Sequence, residues 1–140
     1  MAEDLITRIE AHFRRRADDR ILAVYLYGSR ARGTASRDSD VDVAVVLDPA
    51  RPIAPEARMD LRLRLIGDVI HASGENEVDL VILNDVPAPM ASRIIREGVR
   101  IHATERERLH AFERDVQLRA ADLEPFLRRA RRAQLERLAR

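Results

Sequence analysis

Three short apolar runs punctuate the first hundred residues: Ile21–Tyr27 (ILAVYLY), Val41–Leu47 (VDVAVVL) and residues 77–83 (EVDLVIL). The first is apolar on both faces of a period-two pattern, which predicts a strand in the middle of a covered sheet. In the second, Val41, Val43, Val45 and Leu47 share one face while Asp42 points the other way. The third repeats the arrangement, with Val78, Leu80 and Ile82 on one face and Asp79 on the other beside Val81 and Leu83. Between these runs the period lengthens to that of a helix. Residues 4–17 place Leu5, Ile6, Ile9 and Phe13 on one side and Arg14, Arg15 and Arg16 in the last turn, where positive charge suits the helix dipole, and Asp18-Asp19 breaks the segment. Asp48-Pro49 ends the second strand, and residues 51–55 form a proline-marked loop. Residues 56–71 alternate like a strand at Leu61, Leu63 and Leu65, yet Ala57, Leu61, Leu65 and Val69 also fit a helix. Their length and their Leu, Arg, Met and Ala content favour the helix, closed by Ser73-Gly74. Residues 84–89 read as a turn, Met90, Ile94 and Ile95 as a short helix ending at Gly98, and residues 99–102 as an edge strand.

From Thr104 the pattern is helix without sheet. Leu109, Phe112, Val116 and Ala120 make one stripe that Leu123, Leu127 and Ala130 continue. Pro125 allows two readings: it kinks one long helix, or Asp122 caps a second helix and Pro125 falls in its tolerant first turn. The second is preferred. The chain thus divides into residues 1–103 and a helical extension, 104–140, belonging to the same unit.

The stretch GSRARGTASRDSDVD, residues 28–42, joins the first two strands and carries most of the chemistry. Gly28 lets the backbone approach a ligand closely, and Ser29 offers a hydroxyl and an N–H to a phosphate. Asp40 and Asp42 lie about 7 Å apart on one face of an extended chain and repel each other unless a cation sits between them. Hard oxygen donors suit Mg²⁺. Arg32, and Arg30 beside it, can neutralise phosphate charge, while Ser39 shapes the turn before Asp40. A phosphate-binding turn next to metal-binding acids outlines a nucleotide site.

Gly28-Ser29, Ala31-Arg32-Gly33, Ser39-Asp40-x-Asp42 and the later Asp79 together resemble the motif set of the DNA polymerase β-like nucleotidyltransferases, and in particular the minimal nucleotidyltransferases encoded as antitoxins beside HEPN-domain toxins. The resemblance implies an α/β (α+β) fold: a small mixed sheet flanked by helices, with a C-terminal helical tail. It also implies two Mg²⁺ ions held by Asp40, Asp42 and Asp79, and ATP as substrate. Gly28, Ser29, Arg30, Arg32 and Ser39 would form the nucleotide side of the site. Asp79 would act as general base, with AMP passing to a hydroxyl, a tyrosine of the HEPN toxin. Two alternatives remain: an antitoxin that silences its toxin by binding alone, and an aminoglycoside nucleotidyltransferase.

Composition narrows this picture. The 140 residues suffice for one core. All 25 basic residues are arginine and cysteine is absent, so lysine chemistry, thiolate catalysis, disulfides and Cys-ligated zinc are excluded. A net charge of +1 gives no reason to expect nucleic acid as a partner, and the cluster Arg128, Arg129, Arg131 and Arg132 has no interleaved aromatics. His12, His71, His102 and His110 show no metal-ligand spacing, and of Tyr25 and Tyr27 at least one belongs to the core. No apolar run approaches bilayer length and the N-terminus carries Glu3 and Asp4, so a cytoplasmic protein is expected.

Overall fold

The structure is a computed structural model that describes residues 2–32 and 40–140, with the side chains of residues 2 and 3 left aside. Its centre is a four-stranded mixed sheet in the order β3-β2-β1-β4, built from β1 (Ile21–Tyr27), β2 (Val41–Leu47), β3 (Val78–Ile82) and β4 (Val99–Ala103). β1 runs antiparallel to both its neighbours, while β2 and β3 are parallel. Helices α1 (Ala2–Arg16) and α3 (Pro55–Ser73) cover one face, and α4 (Ala88–Glu97) and α5 (Arg106–Leu138) cover the other. The short α2 (Gly28–Arg32) leaves directly from the end of β1.

The apolar pattern explains this layering. Val41, Val43, Val45 and Leu47 of β2 and Leu80 and Ile82 of β3 meet Leu5, Ile9 and Phe13 of α1 and Leu61, Leu65 and Val69 of α3. On the reverse face Tyr25, Ala44 and Val46 meet Ala91 and Ile94 of α4 and Leu109, Phe112 and Val116 of α5. β1 is buried from Ile21 to Leu26 because it is central and covered on both sides. The ambiguous segment is the helix α3, whose Leu61, Leu65 and Val69 are buried while Leu63 is exposed. A strand would have placed Leu61, Leu63 and Leu65 on one side.

Polar side chains close the open ends. Asn84 sits in a 3₁₀ turn, Leu83–Asp85, which covers only the first two residues of the expected 84–89 turn, because residues 88 and 89 already belong to α4. Its amide accepts from Leu47 N and donates to Leu47 O, both at 2.9 Å, so a side chain continues the ladder past the end of β3. Arg62 of α3 donates to Leu80 O at 2.8 Å and occupies part of the free edge of β3. The buried Asp48 takes Arg108 of α5 at 3.0 Å and Ala50 N at 3.0 Å, which ties the last helix to the end of β2. His102 stacks beside Phe13, and burial shifts its imidazole towards the neutral form.

One sequence expectation is corrected. α5 is a single helix of 33 residues with Pro125 inside it, not two helices separated at Asp122. Every residue from 121 onward is exposed, so water can hydrate the carbonyl that the missing proline N–H leaves without a partner. Leu, Arg, Ala and Glu on both sides are strong helix formers and carry the helix across. The apolar stripe meets the body only as far as Val116; Leu123, Phe126 and Leu127 lie on the outer half. Among the described residues no helix is long and apolar enough to cross a membrane.

Gly98 locks the end of α4 against the end of β1. A Cβ there would stand 2.6 Å from Ile94 O and 3.1 Å from Leu26 O, and neither backbone atom can retreat. Gly98→Ala is expected to lower stability by about 2 kcal/mol, read as a lower urea midpoint at unchanged m-value.

Candidate active site

The site forms at one end of the sheet, where β1 finishes and β2 and β3 begin. Pairing places Tyr27 opposite Asp42 on the antiparallel side and Asp79 beside Asp42 on the parallel side. All three therefore point to the face covered by α4 and α5, as the alternation of apolar positions requires. Asp40 precedes β2 and is exposed. Asp42 and Asp79 are brought into register from positions 37 residues apart in the chain only because β3 returns parallel to β2.

Gly28 shapes the other wall. Its φ is +73°, and a Cβ on it would lie 2.2 Å from Asp42 Oδ2. Only glycine leaves room for that carboxylate in this backbone conformation. Ser29 follows in the first turn of α2, half-buried, and Arg32 ends the helix exposed. Arg30 sits 3.4 Å from Glu75 beyond the end of α3 and would have to leave it to reach a phosphate. Ser39 and Gly33 lie outside the described residues, as does the expected loop 34–39.

Burial is the main reason that the Asp42 carboxyl titrates above the usual carboxylate range; Asp79 and Asp40 push the same way, and Arg32 opposes them. The Tyr27 hydroxyl is pushed up to about 12 by burial, then by the charges of Asp79 and Asp42. These shifts describe a half-buried corner with an excess of negative charge. Among the described residues no three acids or histidines are gathered closely enough to hold an ion. The donor set nevertheless fits a hard divalent cation: two carboxylates in register on adjacent strands, a third, Asp40, just before β2, and a charge excess that a cation would relieve.

Sequence reasoning missed the part played by Tyr27. Period-two alternation from Tyr25, together with antiparallel pairing to β2, would have placed it among the acids. It also missed α4, which borders the site. A cavity of about 230 Å³ beside Gly28 and Arg32 is lined by Tyr27 and by Met90, Arg93, Ile94 and Glu97. A second cavity, of about 550 Å³, lies near His102 and Arg108 at the opposite end of the sheet and is lined by none of the expected site residues.

Comparison with known proteins gives consistent results. Residues 8–107 match the family described as Polymerase beta, Nucleotidyltransferase. The protein adenylyltransferase MntA of Shewanella oneidensis is 29% identical over 84 residues, 60% of this chain and 55% of that protein, so the match spans little more than half of its length. The fold matches a chain in the crystal structure of a toxin–antitoxin with AMP-PNP, at a TM-score of 0.66 and 22% identity over 96% of this chain and 98% of that one. It also matches a chain in a complex of tri-AMPylated Shewanella oneidensis HEPN toxin with MNT antitoxin, at a TM-score of 0.62 and 18% identity over the whole of both.

Two outcomes follow from the crowded corner. Gly28→Ala places a side chain in left-handed backbone against Asp42 and is expected to cost about 1–2 kcal/mol, measured by chemical denaturation. Asp42, with its folded-state pKa raised, costs stability once pH rises through that value, and the cost vanishes below the ordinary carboxylate pKa. Metal-free Asp42→Asn should therefore melt above the wild type at pH 7, with the gap closing as pH falls below about 4. A gap that stays constant with pH would show that the carboxylate charge is not its source.

Proposed function

Because the chain belongs to the polymerase beta nucleotidyltransferase family, we propose that it is an antitoxin that transfers AMP from ATP to a tyrosine hydroxyl of a partner HEPN toxin. The observation that carries this reading is the register of Asp42 with Asp79 against Gly28, which assembles acids and a phosphate-accommodating turn at one corner. The adenylyltransferase activity named for MntA and the AMPylated toxin in the Shewanella oneidensis complex support the choice of nucleotide and acceptor.

Each residue has a task in this scheme. Gly28 and Ser29 let the triphosphate lie against the end of β1, and Arg32 offsets part of its charge, with Arg30 and Ser39 as further candidates on that side. Asp79 accepts the proton of the attacking hydroxyl. The hydroxyl oxygen bonds to the α-phosphorus, the bond from that phosphorus to the bridging oxygen breaks, and pyrophosphate leaves with the electron pair. Asp40, Asp42 and Asp79 would hold two Mg²⁺ ions, which when bound supply charge neutralisation at the phosphates. The raised Asp42 pKa accords with this task, because a carboxylate crowded by like charge gains from a cation. AMP on the toxin would add bulk and negative charge where RNA must bind.

A second reading has its own support. The outer half of α5 exposes Leu123, Phe126 and Leu127, a surface on which a partner could be held without chemistry. Intact-mass spectrometry of the partner toxin, incubated with this protein, ATP and Mg²⁺, separates the two. Addition of one or more AMP units, lost in Asp40→Asn, Asp42→Asn and Asp79→Asn, is the expected result. An unmodified toxin that is silenced equally by the wild type and by all three variants would establish inhibition by binding alone.

A further inference from the structure

The cavity beside Gly28 has a shape and polarity that the transfer of a phosphoryl group does not by itself require. Its floor is apolar, made by the Tyr27 ring, Ile94 and the partly exposed Met90. Arg32 stands at the phosphate end, and Arg93 and Glu97 of α4 form its charged rim. The position of these residues along α4 gives the cavity a direction. Gly98, the residue after α4, is pressed against Leu26 O and Tyr27 Cβ, so the Glu97 end of the helix lies closest to the Gly28 corner. Met90 lies seven residues earlier on the same helix, about 10 Å further from that corner at 1.5 Å per residue.

We propose that this cavity is the nucleoside subsite: Glu97 accepts hydrogen bonds from the ribose hydroxyls, and the base lies on Ile94, Met90 and the ring of Tyr27. The proposal rests on the nucleotidyltransferase reading of the adjoining acids. A carboxylate is the group that suits ribose hydroxyls, because it accepts from both and donates to neither. Arg93 donates to Glu97 Oε2 at 3.4 Å and leaves Oε1 for a ligand. A flat aromatic base gains from an apolar floor, and it is the one part of a nucleotide that does.

The strand order assigns the opposite side to the acceptor. Across the sheet the sequence is Asp79 on β3, Asp42 on β2, and Tyr27 with Gly28 at the end of β1, with the cavity beyond. A nucleotide lying from the cavity to Asp42 leaves the Asp79 side, at the edge strand β3, open to a macromolecular hydroxyl. Base recognition and acceptor recognition then use separate surfaces and do not compete.

Isothermal titration of the full chain in Mg²⁺ with ATP, 2′,3′-dideoxy-ATP and inorganic triphosphate tests the assignment. The wild type should bind ATP more tightly than either of the others. Glu97→Ala should bring ATP down to the affinity of the dideoxy nucleotide. Met90→Gln, neutral and of similar length, should reduce the ATP advantage over triphosphate by about tenfold, the scale of one buried apolar side chain. Ratios within each variant cancel any general change in stability or charge. Ratios that remain at the wild-type values in both variants would overturn the subsite while leaving the phosphate site in place. A wild type that binds neither ATP nor triphosphate would overturn the nucleotide reading, and the subsite with it.

Discussion

The rest of the structure depends on one unfavourable contact. Two carboxylates, Asp42 and Asp79, are held in register on neighbouring strands, with a third, Asp40, two residues from the first. Burial and mutual repulsion raise the pKa of Asp42. Such an arrangement persists only where the backbone leaves the side chains no alternative. Here Val41 and Val43 on one strand, and Val78 and Leu80 on the other, pack under α1 and α3, so the acids between them must turn together to the opposite face of the sheet. Hydrophobic packing on one face of the sheet thus enforces electrostatic crowding on the other.

The sheet is held so that this end stays open and the opposite end is tied. At the far end Asn84 extends the β2 ladder, Asp48 is buried under Arg108, and Thr104 reaches Ile21 O. At the site end two glycines are packed tightly, Gly28 against Asp42 and Gly98 against the end of β1. The missing side chains let Gly28 lie against the Asp42 carboxylate and the end of α4 lie against the end of β1. A cavity beside the acids results, rather than a flat sheet edge.

α5 serves two purposes along its length. Leu109, Phe112 and Val116 complete the core over β1, and Glu113 takes the buried Tyr25 hydroxyl at 2.7 Å and Arg100 at 3.1 Å. Beyond Ala120 the same helix leaves the body, carrying Arg128, Arg129, Arg131 and Arg132 among exposed leucines. Like charges of this density disfavour pairing with a second copy of the same helix face and favour a surface of opposite sign.

Much of this was legible in the chain itself, because period-two and period-3.6 patterns report burial directly. Strands β1 and β2, the helical character of α3 and the shared face of Asp42 and Asp79 all follow from which positions are apolar. The candidate acids and the Gly28-Ser29 turn were visible for the same reason: acids and small residues interrupt runs that are otherwise hydrophobic. What alternation cannot encode is which strands become neighbours, and in which direction. Tertiary structure decided that β3 lies parallel beside β2, which brings together two acids 37 residues apart. It placed Tyr27 and α4 at the site, occupied Arg30 with Glu75, and carried α5 unbroken through Pro125. Each depends on what surrounds a residue in space, a neighbouring strand, an opposing charge or open water, and none of these is a property of its place in the sequence.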